Sequence, residues 1–301
     1  MKHFLNIHDC TDNELRALLS LSSELKTLHK KGILRPHLTG KVLAMVFEKA
    51  SLRTRMSFQI AMTDLGGVAI HLKPDDIGII GERESIKDMA RVFGRYVNGI
   101  MARTFAHQTL VELSEYAGVP VINALSDWSH PCQAMADMLT IQEHLGTLPG
   151  VKLAFIGDGN NVARSLAMAC SKFDMIMTLA SPVGYELDDE TLTLANQSRH
   201  CLTQLHDPIE AVQDAQVIYT DTWISMGQED QSQKRMQDFK NFQVNDELLS
   251  HAPEAKIMHC LPAHRGHEIT DNVAESPNAV IFDQAENRLH FQRALLATLL
   301  A

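Results

Sequence analysis

Short apolar segments alternate with segments of helical periodicity along almost the whole chain, and this alternation limits the fold more than any other feature. The run KVLAMVF at residues 41–47 has the content of a buried strand, and helical spacing follows at residues 55–65. Further apolar runs occupy residues 68–72, 99–103 and 119–123. Strands that alternate with helices in this way favour mainly parallel sheets covered by helices on both faces, an α/β fold.

The pattern is interrupted by the segment GTLPG at residues 146–150 and then restarts. We therefore predict two α/β domains, residues 1–145 and residues 146–286, in line with roughly 150 residues per domain for a chain of this length. Residues 287–301 end the chain as an apolar-faced helix.

Two further segments belong to the second domain. Residues 280–282 form a short apolar run, which predicts a strand. Residues 227–243 are polar and charged without an apolar period, which predicts a surface loop or an exposed helix.

Composition and charge narrow the functional classes. The 27 Lys and Arg against 37 Asp and Glu give a formal net charge of −10, so nucleic acid is not expected as a partner. The five cysteines are widely spread and include no CxxC pair, which argues against a disulfide framework. The N-terminal residues lack a signal-peptide core and no apolar run has the length of a membrane span. We therefore expect a cytoplasmic protein without a membrane partner, or one whose compartment is not encoded in its first residues.

The turn after the first strand has the residues of an anion site. Ser51 and Thr54 are good N-cap residues, and Arg53 lies between them where a helix begins. A phosphate there would meet backbone N–H groups, the positive end of the helix dipole and the two guanidinium groups of Arg53 and Arg55. An ordinary capped helix with solvated arginines fits the same residues, and the pattern alone leaves both interpretations open.

Three further polar residues of the first half fall at strand ends or helix starts. Arg103 ends the predicted strand at residues 99–103, and His130 and Gln133 open a long helix in the segment HPCQ. Ligands of open α/β sheets bind at the carboxyl ends of the strands, so these side chains could donate to a carbonyl or phosphate oxygen. A surface or core role for each of them stays open.

The second half carries a glycine turn, GDGNN at residues 157–161, between a strand and a helix. Val162 replaces the third glycine of a dinucleotide motif and the next strand ends without a ribose-binding acid, so we predict no nicotinamide cofactor. The two asparagines instead suit a small polar ligand such as an amino acid. Asp221 follows a strand, where it could bind an ammonium group or simply open a turn.

Cysteine and histidine side chains come together at His259, Cys260, His264 and His267. Cys260 could be a nucleophile, but no pattern supplies its base and orienting group. The spacing of the four residues matches no zinc pattern, so we predict no metal site.

Six motifs occur in order along the chain: SLRTR, HPCQ, GDGNN, DTWISMG, HCLPA and AENRL. Together they resemble the aspartate/ornithine carbamoyltransferase family, and DTWISMG and HCLPA are similar to the segments of its ornithine-using members. The resemblance implies that the first domain binds carbamoyl phosphate, that the C-terminal helix packs back on it, and that the second domain binds ornithine. It implies carbamoyl transfer to the δ-amine of L-ornithine, giving L-citrulline and phosphate in arginine metabolism, by a homotrimer or a multiple of trimers without metal or organic cofactor.

The resemblance also implies residue roles. Carbamoyl phosphate would be bound by Ser51, Leu52, Arg53, Thr54, Arg103, His130, Gln133, Cys260, Leu261 and Arg288. Ornithine would be bound by Asn161, Asp221, Ser225 and Met226. The catalytic residues would be Arg53, Arg103, His130 and Cys260, with the arginines offsetting the charge that develops on the leaving phosphate.

Three residues depart from the family pattern: Leu52 stands where threonine is usual, Gln59 where glutamate is usual, and Trp128 is bulkier than expected. Two alternative functions stay open. The first is carbamoyl transfer to another acceptor, such as N-acetylornithine, N-succinylornithine, putrescine or aspartate, and the second is that of a non-catalytic relative that binds small metabolites. Free ornithine is favoured because an acylated ornithine would leave Asp221 without an ammonium partner.

Overall fold

The chain divides into two compact units. The computed structural model describes residues 1–78, 80–225 and 227–301. Unit 1 comprises Met1–Leu139 and Glu286–Ala301, and unit 2 comprises Thr140–Ala285. Each unit has a parallel sheet flanked by helices, which confirms the predicted fold class. Among the described residues, no helix combines the length and the apolar character that crossing a membrane requires.

Helices and strands alternate through both units. The first half contains α1 (Asp12–Lys30), β1 (Val42–Phe47), α2 (Leu52–Asp64), β2 (Val68–Leu72), α3 (Pro74–Ile77), α4 (Ile86–Tyr96), β3 (Gly99–Arg103), α5 (His107–Tyr116), β4 (Val121–Leu125) and α6 (Pro131–Leu145). The second half contains β5 (Lys152–Ile156), α7 (Asn161–Lys172), β6 (Ile176–Ala180), α8 (Asp189–Ala195), β7 (Leu202–Leu205), α9 (Pro208–Val212), β8 (Val217–Thr220), α10 (Ser232–Asp238), α11 (Asp246–Ser250), β9 (Lys256–His259), α12 (Asp271–Ala274) and α13 (Ile281–Leu300).

The sheet of unit 1 has the order β2-β1-β3-β4, with every pair parallel. The chain passes from β1 to β2 on one side and later returns to β3 on the other side. The strand order therefore reverses between β1 and β3, which is where open α/β sheets bind ligands. Phe47 pairs with Arg103 at this point, so the turn that begins α2 follows the strand next to Arg103.

The sheet of unit 2 has the order β7-β6-β5-β8-β9, again parallel throughout. Here the order reverses between β5 and β8. Ile156 pairs with Thr220, and Thr220 pairs with His259, so three neighbouring strands end at one edge. The segments that follow these strands contain GDGNN, Asp221 and Cys260.

The C-terminal helix returns to unit 1, as predicted. From Glu286 onward α13 belongs to that unit, and Phe291 and Leu295 are fully buried there. The ring of Phe291 lies 5.8 Å from the ring of Phe4. Lys26 Nζ of α1 donates to Asn287 Oδ1 at 2.8 Å, so a polar contact accompanies the apolar packing.

The strand predicted for residues 280–282 is wrong. Val280 N donates to Ile257 O, so the chain pairs briefly beside β9. Ile281 already begins α13. Val280 and Ile281 are both buried, and three apolar residues indicate burial without showing which periodicity follows.

The segment 227–243 is less exposed than predicted. It contains a short 3-10 helix at Glu229–Gln231 and then α10. Arg235, Phe239 and Phe242 are buried, and the two phenylalanines belong to the core of unit 2. The prediction failed because α10 is too short to show a period: it contains a single apolar residue, Met236, and the two buried phenylalanines lie just beyond its end.

Candidate active site

The turn that begins α2 has the geometry of an anion-binding helix start. Ser51 is the N-cap, with extended backbone angles, and its Oγ accepts from Thr54 N at 3.3 Å. The backbone N–H groups of the first helical turn lack an acceptor within their helix. The Leu52 side chain is 75% exposed and points away from unit 1. The backbone of Leu52, and not its side chain, therefore contributes to the turn.

Arg103 is held beside this turn by backbone and side-chain contacts. Its carbonyl oxygen accepts from Glu48 N at 2.9 Å, and a Glu48 carboxylate oxygen accepts from Phe105 N at 2.6 Å. Burial raises the pKa of Glu48. The Arg103 side chain is buried at the end of β3. The two hydrogen bonds of Glu48 connect the segments that follow β1 and β3, one at Arg103 and one at Phe105.

His130 is buried at the start of α6 and lies among cations. Burial, followed by the positive charges of Arg288, Arg103 and Arg53, lowers the pKa of His130 well below its usual value. The imidazole is therefore neutral at physiological pH and has one N–H donor and one acceptor nitrogen. The structure thus brings together four of the residues predicted from the sequence.

Arg288 joins α13 to the other residues of this cluster. Its Nη2 donates to Thr54 Oγ1 at 2.9 Å, and its Nη1 donates to Gln133 Oε1 at 3.0 Å. All three side chains are buried. Together with Ser51, Arg53, Arg103 and His130 they form what we call the arginine cluster of unit 1. An oxyanion would be stabilised there by several charge-assisted hydrogen bonds.

In unit 2, Asp221 is the centre of a second group. Its Oδ1 accepts from Cys260 Sγ at 3.1 Å and from Thr222 N at 2.8 Å. Its Oδ2 accepts from Asn160 Nδ2 at 2.9 Å. A carboxylate offers about four acceptor positions, so these donors leave capacity for one more, as an ammonium group would require.

Asn160 is one of the two asparagines that the sequence analysis suggested for a small polar ligand, although only Asn161 was named as an ornithine contact. It is the N-cap of α7, and its Oδ1 accepts from Val162 N and Ala163 N while its amide donates to Asp221. Asn161, the predicted ligand, is the half-buried first residue of α7. The signal for Asn160 was present, because an asparagine directly before a helix is a preferred cap.

The turn HCLPA is held by the buried His259. Leu261 N donates to His259 Nδ1 at 2.9 Å, so the ring proton lies on Nε2, which donates to Glu268 Oε1 at 3.0 Å. Burial would raise the pKa of Glu268, but hydrogen bonds from His259 and from the N–H of His264 outweigh it and the pKa is lowered. Leu261 has a φ of +58° and precedes a cis bond to Pro262.

Ligand-type atoms of Asp221, His259 and Cys260 lie within 4.8 Å of one another, as in a metal site. Both ring nitrogens of His259 already take part in hydrogen bonds. A metal ion would have to displace one of these bonds, so the three side chains are arranged for hydrogen bonding.

The segment after Asp221 is anchored by Arg235, which sequence reasoning missed. Arg235 Nη1 donates to Trp223 O at 2.7 Å and to Asp158 Oδ2 at 2.9 Å. Ser225 N donates to Gln228 Oε1 at 3.1 Å, whereas the predicted ligand Met226 lies outside the described residues. No pattern marked Arg235, because its partners are distant in sequence and its own segment is polar.

Comparison with known families matches the whole architecture. Residues 2–143 match the model described as aspartate/ornithine carbamoyltransferase, carbamoyl-P binding domain. Residues 149–299 match the model described as aspartate/ornithine carbamoyltransferase, Asp/Orn binding domain. The chain belongs to the aspartate/ornithine carbamoyltransferase family.

Individual relatives agree with this family. The ornithine carbamoyltransferase of Pyrococcus abyssi is 50% identical over 306 residues, which cover 99% of this chain and 96% of the relative. The solved ornithine carbamoyltransferase of Pyrococcus furiosus has a TM-score of 0.97 at 48% identity, covering 99% of this chain and 97% of that chain. The solved ornithine carbamoyltransferase of Thermus thermophilus has a TM-score of 0.91 at 45% identity, covering 100% of this chain and 99% of that chain.

The departures from the family pattern fall on outward or partly exposed positions. Leu52 and Gln59 are both exposed on α2, two helical turns apart on the same face. Trp128 is half-buried just before His130. The change from threonine to leucine at Leu52 therefore alters an exposed side chain and leaves the backbone N–H groups of the turn in place.

Proposed function

We propose that this chain transfers the carbamoyl group of carbamoyl phosphate to the δ-amine of L-ornithine, giving L-citrulline and phosphate. The contact that carries the proposal is the one between Cys260 Sγ and the Asp221 carboxylate, with Asn160 on the other carboxylate oxygen. This group lies in the part of the chain that matches an Asp/Orn binding domain. The relatives with 45 to 50% identity are named ornithine carbamoyltransferases.

Carbamoyl phosphate would bind at the arginine cluster of unit 1. The backbone of Ser51, Leu52 and Thr54, with Arg53, would hold the phosphate at the start of α2. Arg103, His130, Gln133 and Arg288 would hold the carbamoyl end. Because the His130 imidazole is neutral, its N–H can donate a hydrogen bond to the carbamoyl oxygen while the proton stays on the imidazole. The roles of Cys260 and Leu261 toward this substrate stay predictions from the family resemblance.

The reaction forms a C–N bond and breaks the C–O bond to phosphate. The amine must attack in its neutral form, although a free alkyl amine has a pKa near ~10. Negative charge develops on the departing phosphate, which takes the electron pair of the C–O bond and can accept the amine proton. Arg53 and Arg103 offset that charge electrostatically, and no covalent enzyme intermediate is needed.

Ornithine would be held at Asp221, with Asn161, Ser225 and Met226 as further predicted contacts. The remaining acceptor capacity of the Asp221 carboxylate suits an α-ammonium group. An acylated ornithine or aspartate used through its amine would not offer the same pairing. Cys260, which donates to Asp221, would help to position the amine that attacks.

The test is product formation from carbamoyl phosphate with separate acceptors. Ornithine, N-acetylornithine, N-succinylornithine, putrescine and aspartate are offered one at a time, and citrulline-type product and phosphate are measured together. Turnover with ornithine alone is expected. Turnover with another acceptor would refute the role of Asp221, and ligand binding without phosphate release would identify a binding protein.

We further propose that the enzyme is a homotrimer or a multiple of trimers. The support is an exposed apolar surface on unit 1, where Leu52, Met56 and Ile60 follow one another at i, i+4 and i+8 on α2. Val68 and Ile70 are also exposed, on the edge strand β2. Sedimentation equilibrium gives the mass directly, and Met56→Glu is expected to shift it toward the monomer mass.

We also propose a cytoplasmic location. The five cysteines carry thiols that are not joined in disulfides, and the Cys260 thiol donates to Asp221, as a reducing compartment favours. Cell fractionation followed by immunoblotting tests this proposal, and recovery with secreted proteins would refute it.

A further inference from the structure

Asp137 is a fully buried carboxylate that no motif of the sequence analysis singled out. It lies on α6 one turn after Gln133, and its Oδ1 accepts from Gln133 Nε2 at 2.8 Å. Burying an ionised carboxylate is costly unless it is hydrogen-bonded, so its place behind a proposed substrate contact needs an explanation.

The hydrogen bond decides which way the Gln133 amide points. The Asp137 carboxyl oxygen accepts this hydrogen bond, so the NH₂ end of the amide faces Asp137. The amide oxygen must then face the other way, where it accepts from Arg288 Nη1 at 3.0 Å. Arg288 Nη2 donates in turn to Thr54 Oγ1 at 2.9 Å. Four buried side chains therefore form one directional series: Asp137, Gln133, Arg288 and Thr54.

The series would lose its direction without the carboxylate. An amide that can turn presents its NH₂ group to the guanidinium in one of its two orientations, which places donor against donor. Arg288 would then lose an acceptor in a buried environment, where an unmade hydrogen bond of a charged group is expensive. The carboxylate at one end also balances the guanidinium charge at the other through the polarised amide.

We propose that Asp137 is a positioning residue for carbamoyl phosphate, acting through Gln133 to aim Arg288. The inference rests on the proposed function of the arginine cluster. It adds a group that does not touch substrate, and it explains why the glutamine of HPCQ presents its oxygen to the arginine of AENRL.

The first test compares Asp137→Asn, which has almost the same shape, with Asp137→Leu, which can neither accept nor donate. We expect the KM for carbamoyl phosphate to rise about 10-fold in Asp137→Asn and about 100-fold in Asp137→Leu, the range for a hydrogen bond to a charged group. The KM for ornithine should change by less than about twofold, because Asp221 lies in the other unit.

A merely structural role for Asp137 would give a different result. Thermal unfolding midpoint and active fraction would fall, while both KM values stayed the same. Asp137→Asn keeps the volume and one acceptor, so it should fold even where Asp137→Leu does not, and it alone can decide the matter.

The second test asks whether Asp137 acts through Gln133. In a Gln133→Ala background the amide is absent, so adding Asp137→Asn should change kcat/KM for carbamoyl phosphate by less than about threefold. Additive losses would overturn the proposal. If the unaltered chain makes no citrulline, the proposed function and this inference fail together. If that chain is active and Asp137→Asn has wild-type kinetics, the inference alone fails.

Discussion

Replacing Arg235 with methionine should destabilise unit 2 strongly, although this residue lies in a polar segment of ordinary appearance. The guanidinium donates to Asp158 Oδ2 and Trp223 O, and lies 4.9 Å from the Tyr185 ring centroid and 5.8 Å from that of Phe239. Methionine keeps part of the stem packing but no donor. Asp158, itself buried, would then be left without this ion-pair partner.

The expected magnitude follows from these contacts. A hydrogen bond to a charged group contributes about 1.5–3 kcal/mol, and the cation–π contact adds about 0.5–1 kcal/mol. Removing one partner of a buried ion pair costs about 3–5 kcal/mol in total. Against a typical unfolding free energy of about 5–15 kcal/mol, Arg235→Met is therefore a severe change.

The pH dependence supplies a second signature. Burial raises the pKa of Asp158, and the Arg235 charge opposes that rise, so Arg235→Met should raise the pKa further. A carboxyl group whose folded-state pKa is above its unfolded value stabilises the fold below that unfolded value, and this contribution is lost as pH rises through the folded value. The penalty in Arg235→Met should therefore shrink as the pH is lowered from about 8 to about 5.

Urea unfolding monitored by tryptophan fluorescence measures the free energy of unfolding of unit 2. The chain has two tryptophans, so a Trp128→Phe background leaves buried Trp223 as the reporter. The matched control is Arg235→Met with Asp158→Asn, which removes the stranded carboxylate and should recover about 2 kcal/mol. A loss below about 1 kcal/mol for Arg235→Met, or no recovery in the double variant, would refute the reasoning.

Three further predictions concern the proposed activity. Arg53→Ala should lower kcat/KM by about 100-fold or more without changing the thermal midpoint, because it removes a charge-assisted phosphate contact; near-normal activity would contradict the assignment. Asp221→Asn should raise the ornithine KM while leaving carbamoyl phosphate binding unchanged, and equal losses for both would show that Asp221 is misplaced. Burial raises the pKa of Cys132 to about 12, so iodoacetamide should leave Cys132 unmodified. The reagent should instead label the partly exposed Cys260 and abolish activity, and bound ornithine should slow this inactivation. Labelling of Cys132 in the folded protein would count against its burial.

Much of the architecture could be predicted because buried parallel strands are short continuous apolar runs. The runs at 68–72 and 99–103 coincide with β2 and β3, and the run KVLAMVF at 41–47 contains β1. The elements that escaped prediction are short and mixed in composition, such as β7 with its sequence LTQL and α8 with DETLTLA. The conformation of such segments is set by the strands and helices that they contact, and the hydrophobic period of a short segment does not indicate these contacts.

The site divides along a similar line. Residues that end a strand or cap a helix, such as Arg103, Ser51 and Asp221, could be found because chain position alone brings them to the ligand-binding edge. Arg235 could not, since it acts on Asp158, which only the fold brings near it. Asp137 lies four residues after Gln133 on α6, so helical spacing places the two on one face, but the effect on Arg288 depends on the fold. Gln133 was found as a member of a motif, yet the direction of its amide depends on Asp137 and Arg288.

These cases share a physical pattern that bears on how the site is maintained. A buried acid lies beside each of three residues that shape the two sites: Asp137 behind the proposed substrate contact Gln133, Asp158 beside the anchoring residue Arg235, and Glu268 behind His259, which holds the HCLPA turn. A buried carboxylate is costly to desolvate, so it stabilises one arrangement of donors and strongly disfavours any other. Each acid therefore fixes the direction in which an amide, guanidinium or imidazole points. For Asp137, replacement by the amide should consequently change substrate affinity more than it changes the unfolding temperature.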